Sequence, residues 1–395
     1  MNAKILKRMR PLFVTAFLHG FVLFYTFEKL FMTNLGFTRA EIGYMVAVYS
    51  AVMLIAEVPS GVLADRWSRK GVLMLASISL ALSAFVGGTS HSKLQFLIST
   101  AFWGIYYAFH SGTYESIVYD TILEESGSVD TYEKLYGRVK MFDSLALVIS
   151  SLAGGFVGST WGLRIPYFIT VPFSLLAVVS LLWFREPTLH KSKVFVPVLE
   201  HIKNTFRAVV RNIEARDVII SLIAINVLLH IMYEFDQLWL IALAVPVAFY
   251  GVINALLLSG IGLGGILADK AKLSKAGRQI TLFVYMLAGT VVLTLSRSSI
   301  LTVVALATLS ICFIASDIIF SKLLHDTLSS SVRAGAASTV GTISRLIMVP
   351  FASLFGYVAG KQNVFVAGWA LVVTMGILLV FGVRALSEKT VRSSA

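Results

Sequence analysis

The sequence predicts an all-α membrane protein: twelve transmembrane helices in two pseudo-symmetric six-helix bundles. Three observations predict it. Of 395 residues, 57% are hydrophobic and 14% charged, and the mean hydropathy is +0.82, whereas about a quarter of a soluble domain is charged. Apolar runs recur along nearly the whole chain at about 20 residues, the length an α-helix needs to cross about 30 Å of hydrocarbon. The third observation is that strings of the first half reappear in the second, as expected of a duplicated bundle. The short alternating segments of a membrane β-barrel are absent.

In chain order the spans fall at 11–33, 40–63, 71–90, 94–119, 136–160, 163–184, 217–241, 245–268, 279–296, 299–321, 334–360 and 363–383. Residues 1–27 have a basic start and an apolar core, but no small-x-small cleavage site follows, so they read as a retained first helix. The connections on the side of the N-terminus hold most of the Lys and Arg: Lys4, Lys7, Arg8 and Arg10, then Arg66, Arg69 and Lys70, then Lys191, Lys193, Lys203, Arg207 and Arg211, then Lys270, Lys272, Lys275 and Arg278. The opposite connections carry little beyond Arg39, Lys93, Arg164, Arg297 and Lys361. By the positive-inside rule both termini are expected to be cytoplasmic, in a membrane compatible with the bacterial inner membrane. The net charge of +12 thus reflects topology and calls for no nucleic-acid partner. The single cysteine, Cys312, lies in a span, which excludes an intrachain disulfide framework and a multi-cysteine metal site; no cofactor is expected.

The longest polar connection, 185–216, separates a first bundle (1–184) from a second (217–395). Within it Leu199, Ile202, Phe206, Val209 and Ile213 recur at helical spacing, the pattern of an amphipathic helix on the cytoplasmic face of the membrane. Three pairs of strings support the duplication. Gly61-Val62-Leu63-Ala64-Asp65-Arg66 returns as Gly265-Ile266-Leu267-Ala268-Asp269-Lys270, and Tyr25-Thr26-Phe27-Glu28-Lys29-Leu30-Phe31 as Tyr233-Glu234-Phe235-Asp236-Gln237-Leu238-Trp239. Ser151-Leu152-Ala153-Gly154 has its counterpart in Ser353-Leu354-Phe355-Gly356. Glycines crowd the end of span five and the later part of span eight (Gly260, Gly262, Gly264 and Gly265), where small faces let helices pack closely.

The string Gly61-x-Leu63-Ala64-Asp65-Arg66-x-x-Arg69-Lys70, with its partial copy from Gly265 to Arg278, resembles the motif between the second and third helices of the major facilitator superfamily. The six-plus-six division and the basic central loop extend the resemblance over essentially the whole chain. It implies a gate rather than a substrate site: Asp65 meeting the start of span eleven, Asp120 pairing with Arg69, and Arg66, Lys70 and Asp269 completing the two charged turns. Ser68 stands where the family usually has Gly, which is expected to loosen the turn.

The substrate site is expected among ionisable residues within the spans, because a charge at a helix centre costs about 2.5 to 3.5 kcal/mol on insertion scales and is retained mainly where it is used. Asp143, Asp236 and Asp317 stand in places resembling the acids of proton-driven multidrug antiporters of this superfamily, and Glu28 joins them as a candidate proton carrier. A carboxylate that alternates between dry and wet surroundings binds a proton in one and releases it in the other. Candidate substrate contacts are His19, Tyr25, Tyr107, His110, Glu115, Asn226, His230, Glu234 and Arg345, the last repeat-equivalent to Asp143. Trp103, Tyr106 and Tyr107 gather beside His110 in span four, and aromatic faces grip lipophilic and cationic ligands. The resemblance implies proton-coupled export of lipophilic or amphiphilic small molecules by a monomer. Two features depart from the exporter pattern: span five lacks the Pro of the antiporter motif, and span four lacks the Arg common in drug exporters. The alternative is a proton symporter importing a sugar or other metabolite, for which Asn226, Gln237 and Asn254 are a thin supply of polar contacts. Neither a paired His metal motif nor a Gly-x-Ser-x-Gly nucleophile is present, which argues against a membrane-embedded enzyme.

Overall fold

The computed structural model describes residues 3–128, 131–188, 213–270, 276–327 and 330–393. Among these the chain is helical throughout, with no strand. The helices are α1 (Ala3–Gly20), α2 (Glu28–Asn34), α3 (Arg39–Arg66), α4 (Arg69–Thr89), α5 (Lys93–His110), α6 (Thr113–Ser126), α7 (Tyr132–Trp161) and α8 (Ile165–Leu182). After the central connection come α9 (Ile213–Ala242), α10 (Tyr250–Lys270), α11 (Ala276–Leu295), α12 (Ser299–Thr327), α13 (Ser330–Lys361), α14 (Val364–Ala367) and α15 (Trp369–Ser393). The amphipathic helix expected around Leu199 to Val209 lies outside the described residues, as do the side chains of Asp269 and of the start of span eleven.

Local chemistry sets these boundaries. Thr38 and Glu41 form a capping box at the start of α3: the Thr38 N–H donates to Glu41 Oε2 (2.7 Å) and the Glu41 N–H to Thr38 Oγ1 (3.2 Å). Ser92 caps α5 and Asn363 caps α14, each side-chain oxygen accepting an orphan N–H of the first turn. Gly127 takes the left-handed conformation (φ +69°) that ends α6.

Eleven segments among the described residues are long and apolar enough to cross a membrane. The remaining expected span is the α5–α6 segment, which is interrupted at Ser111-Gly112, with Gly112 at φ +52°. The first span is interrupted too. Helix α1 stops at Gly20, a 3₁₀ turn covers Leu23–Phe27, and α2 resumes at Glu28. In hydrocarbon an interruption persists only where the freed backbone groups find partners. Here Ser150 Oγ on α7 donates to the Gly20 carbonyl (3.1 Å) and the Leu23 N–H donates to Thr170 Oγ1 on α8 (3.1 Å).

The chain forms two compact units: Met1–Phe37 with Val48–Phe195 and Pro246–Ala255, and Thr38–Ala47 with Val196–Val245 and Leu256–Ala395. In the first, α4 packs on α5 and α8, and α1 on α7 and α8. In the second, α11 packs on α12 and α15, and α9 on α13 and α15. The same neighbours recur in the same order, so the duplication read in the strings is a duplication of packing. In each unit the short early segment of a long helix crosses a partner glycine to glycine: Gly251 of α10 against Gly155 of α7 in the first, Gly43 of α3 against Gly356 of α13 in the second. A Cβ added at Gly155 would stand 2.5 Å from the Gly251 Cα, and one at Gly43 would stand 2.6 Å from the Gly356 Cα.

Candidate functional site

The two interruptions of the first unit meet. His19, the penultimate residue of α1, and His110, the last of α5, bring their rings to 5.2 Å between centroids, edge to face. Tyr106 and Tyr114 lie 5.6 Å and 6.5 Å from the His19 ring. Fixed partners hold this core in place: His19 Nε2 is 2.7 Å from Ser77 Oγ on α4, and the Tyr114 hydroxyl donates to the Leu12 carbonyl. Beneath the α5–α6 break lies a cavity of about 50 Å³ whose walls include His110, Gly112, Tyr114, Glu115, Tyr136, Lys140 and Asp143. Asp143 approaches from α7 and its carboxylate lies against the neck of α1: a Cβ at Gly20 would be 3.0 Å from Asp143 Oδ1. Lys140, one turn earlier, has its ammonium 5.3 Å above the Tyr136 ring. Glu115 accepts from the Tyr132 hydroxyl (3.2 Å) at the mouth of the cavity and is exposed.

An aromatic wall continues from this cluster. Trp103 packs edge-on to Phe24 (5.5 Å) and to Tyr107 (5.0 Å), is tilted against Tyr106 (5.5 Å) and stacks with Tyr25 (6.3 Å). Of the expected first-unit residues, the structure therefore gathers His19, His110, Glu115 and Asp143, with Tyr25 and Tyr107 on the adjoining wall. Glu28 stands apart, paired with its neighbour Lys29 (2.5 Å). The sequence reading missed Ser77, Tyr114, Tyr136 and Lys140. The Ser111-Gly112 step inside an apolar run was the available signal, since interrupted spans mark transport sites.

In the second unit, Asp236 and Glu234 are buried on α9, Asp317 is half-buried on α12 and Arg345 half-buried on α13. Asp236 Oδ1 accepts the Gln237 N–H (2.7 Å). Asn226 donates to the Leu222 carbonyl (2.9 Å) within its own helix, and the exposed His230 lies 2.8 Å from the Asn226 carbonyl through Nδ1. Tyr233 meets Ser310 at 2.7 Å, tying α9 to α12.

The charged turn between α3 and α4 is fully built. Arg69 donates to Asp120 on α6 and to the Ser116 carbonyl (3.4 Å), while Asp65 remains largely exposed, 3.5 Å from Arg69. Ser68 tightens this turn rather than loosening it. Its hydroxyl oxygen caps α4 by accepting the Gly71 N–H (2.8 Å), and it donates to Glu186 Oε2 (2.7 Å). Glu186 also accepts the Lys70 N–H (3.0 Å), and the Lys70 ammonium caps the end of α8 through the Leu182 and Phe184 carbonyls. Gly61 has open space where a Cβ would stand.

Apolar spans, duplicated packing and a charged turn anchored by Arg69 and Asp120 define a membrane transporter. The Major Facilitator Superfamily profile matches residues 12–353, and the chain belongs to that family. It is 28% identical over 157 residues to multidrug resistance protein 1 of Bacillus subtilis (strain 168), covering 40% of this chain and 39% of that protein. It is 25% identical over 271 residues to multidrug resistance protein MdtG of Escherichia coli O9:H4 (strain HS), covering 66% of this chain and 63% of that protein. The chain thus spans about two fifths of the Bacillus relative's length and less than two thirds of MdtG. Among solved structures it is similar to the nucleoside transporter NupG (TM-score 0.73, 15% identity, 98% of this chain and 99% of that one). It is likewise similar to a bacterial homolog of the human lysosomal transporter Spinster (TM-score 0.73, 16% identity, 98% and 97%). These structures share the fold.

Proposed function

We propose that the protein is a proton-coupled exporter of lipophilic or amphiphilic small molecules, a drug/proton antiporter working by alternating access. The observation that carries this reading is the position of Asp143. Its carboxylate lies between two interrupted spans, at a cavity walled by His110, Tyr114 and Tyr136, and the His110 ring leads through Tyr106 to the Trp103 aromatic wall. A proton and a lipophilic substrate compete for such a group: protonation neutralises it in a dry surrounding, and a substrate seated on the rings displaces the proton. One proton crossing the membrane is worth about 2.3 kcal/mol per 100 mV, enough to sustain an outward gradient of a neutral substrate.

In this reading Asp143 carries the proton in the first bundle (1–184), and Asp236 and Asp317 serve the second (217–395), with residues 185–216 tethering the two. Glu28, already paired, has a lesser part. His19, Tyr25, Tyr107, His110, Glu115, Asn226, His230, Glu234 and Arg345 contact substrate. The charged turn of Asp65, Arg66, Arg69 and Lys70, with Asp120, gates access from the cytoplasmic side. The names of the multidrug-resistance relatives support the substrate class.

The test uses proteoliposomes with an acidic lumen, ethidium as substrate and an internal pH dye. Wild-type protein is expected to release luminal protons as ethidium accumulates, and Asp143→Asn to lose both signals. Proton movement accompanying sugars in the same direction, with no response to ethidium, would establish import instead.

A further inference from the structure

Two opposite charges line the cavity beneath the α5–α6 break and leave each other unpaired. Lys140 and Asp143 stand three residues apart on α7, a spacing that puts both side chains on one helix face, and both belong to the cavity wall. They rest on different partners. The ammonium lies 5.3 Å from the Tyr136 ring, one turn earlier, while the carboxylate lies against Gly20 at the end of α1. Among the described residues neither forms an ion pair, with the other or with any third side chain. The cavity can be entered, because Gly112, Glu115 and Lys140 of its wall are exposed. At its mouth Glu115 accepts from the Tyr132 hydroxyl (3.2 Å), and the Tyr132 ring stacks on Tyr136 at 5.4 Å, which gives the rim an aromatic platform.

An ammonium and a carboxylate that share a cavity without pairing offer one partner to each sign of charge. A ligand with a single charge uses only one of them: a cation meets Asp143 but is repelled by Lys140, and an anion meets Lys140 but is repelled by Asp143 and Glu115. A zwitterion satisfies both. Resting on the assignment of this cavity to substrate binding, we propose that it selects amphiphilic zwitterions, whose ammonium and carboxylate share one carbon, over the matching cations and anions. The ligand's ammonium donates to Asp143. Its carboxylate draws Lys140 off the Tyr136 ring, because a charge-assisted hydrogen bond is stronger than an exposed cation–π contact. A volume of about 50 Å³ takes the charged head, and the apolar body rests on Tyr132 and Tyr136.

The probes are Nε-dansyl-lysine, dansylcadaverine, which is the same molecule without its carboxylate, and ε-(dansylamino)caproic acid, which lacks only the ammonium. Each is titrated at pH 7.5 into purified wild-type protein. The zwitterion is expected to bind about tenfold tighter than either of the others, the scale of one charge-assisted hydrogen bond. Lys140→Gln should bring its affinity to within about twofold of that of dansylcadaverine, and dansylcadaverine should itself bind about threefold tighter than to wild type once the repelling ammonium is gone. That gain also certifies that the pocket persists. Asp143→Asn should do the converse and level the zwitterion with the caproic acid probe. Equal affinities for zwitterion and cation in wild type, binding of no probe, or a preference undiminished in Lys140→Gln would overturn the proposal. If Lys140→Gln bound nothing, Asp143→Asn decides: an unchanged preference over the caproic acid probe, or no binding there either, overturns it. Because these titrations need no gradient, the export reading is tested separately by Asp143→Asn in proteoliposomes, and either result can fail without the other.

Discussion

Arg8 lies between two carboxylates at the basic end of the first unit: it reaches Glu124 at 2.9 Å and Glu125 at 2.7 Å, and Lys4 adds a second cation 3.1 Å from Glu125. Burial pushes the Glu124 carboxyl up, but the backbone and hydroxyl of Thr188 and the Arg8 guanidinium outweigh it and hold the group down to about 2. Arg8 and then Lys4 lower Glu125 as well. A depressed carboxylate contributes stability that is fully present above its unfolded value and is lost as pH falls through the folded one. The cluster's contribution should therefore vanish between pH 4.5 and about 2. Cys312, the single cysteine and a buried one, reports unfolding through a thiol-reactive dye. The melting midpoint of wild type should drop across that window, and that of Arg8→Ala, already lower at neutral pH, should drop less; parallel curves would show that the cluster contributes nothing. Neither Glu124 nor Thr188 stood out in the sequence, because their meaning lies in a pairing across a long separation. Asp120 was legible only through the motif that supplied its partner.

At the scale of the helix, glycine has two different uses in α7. Gly155 crosses Gly251 so closely that a methyl group would strike backbone, whereas Gly137 has nothing within 4 Å of where its Cβ would stand. Gly155→Ala should destabilise by about 1–3 kcal/mol through overpacking, and Gly137→Ala should stabilise by about 0.5–1 kcal/mol by restricting the unfolded chain. The two melting midpoints, measured in the same detergent, should move in opposite directions; movement in the same direction would refute the crossing as the cause. In the sequence both are simply glycines of span five. It also drew the first and fourth spans as continuous rods, because hydropathy averages over a window and is blind to a single unsatisfied turn. The partners that permit the interruption, Ser150 and Thr170, sit on other helices.

For the whole molecule, the proposed orientation has a direct check. Trp67, on the charged turn, and Lys93 and Arg297, on the opposite connections, are all exposed, and Cys312 is buried. In intact cells a membrane-impermeant maleimide should label Lys93→Cys and Arg297→Cys and should reach Trp67→Cys only after permeabilisation; the reverse pattern would invert the topology. The sequence by itself determined the membrane class, the helical architecture, the duplication and the family. The first three rest on composition, run length and repeated strings, which can be read along the chain without knowing what packs against what, and the family rests on the resemblance of the Gly61–Lys70 string. Tertiary structure decided which titratable residues share a site. It joined His19, His110 and Asp143 around two interruptions, set Glu28 aside with Lys29 and turned Ser68 into a cap with Glu186 as its acceptor. The reason is physical: a buried polar group is satisfied by whichever neighbour packing brings within about 3 Å, and in this chain those neighbours come from other helices.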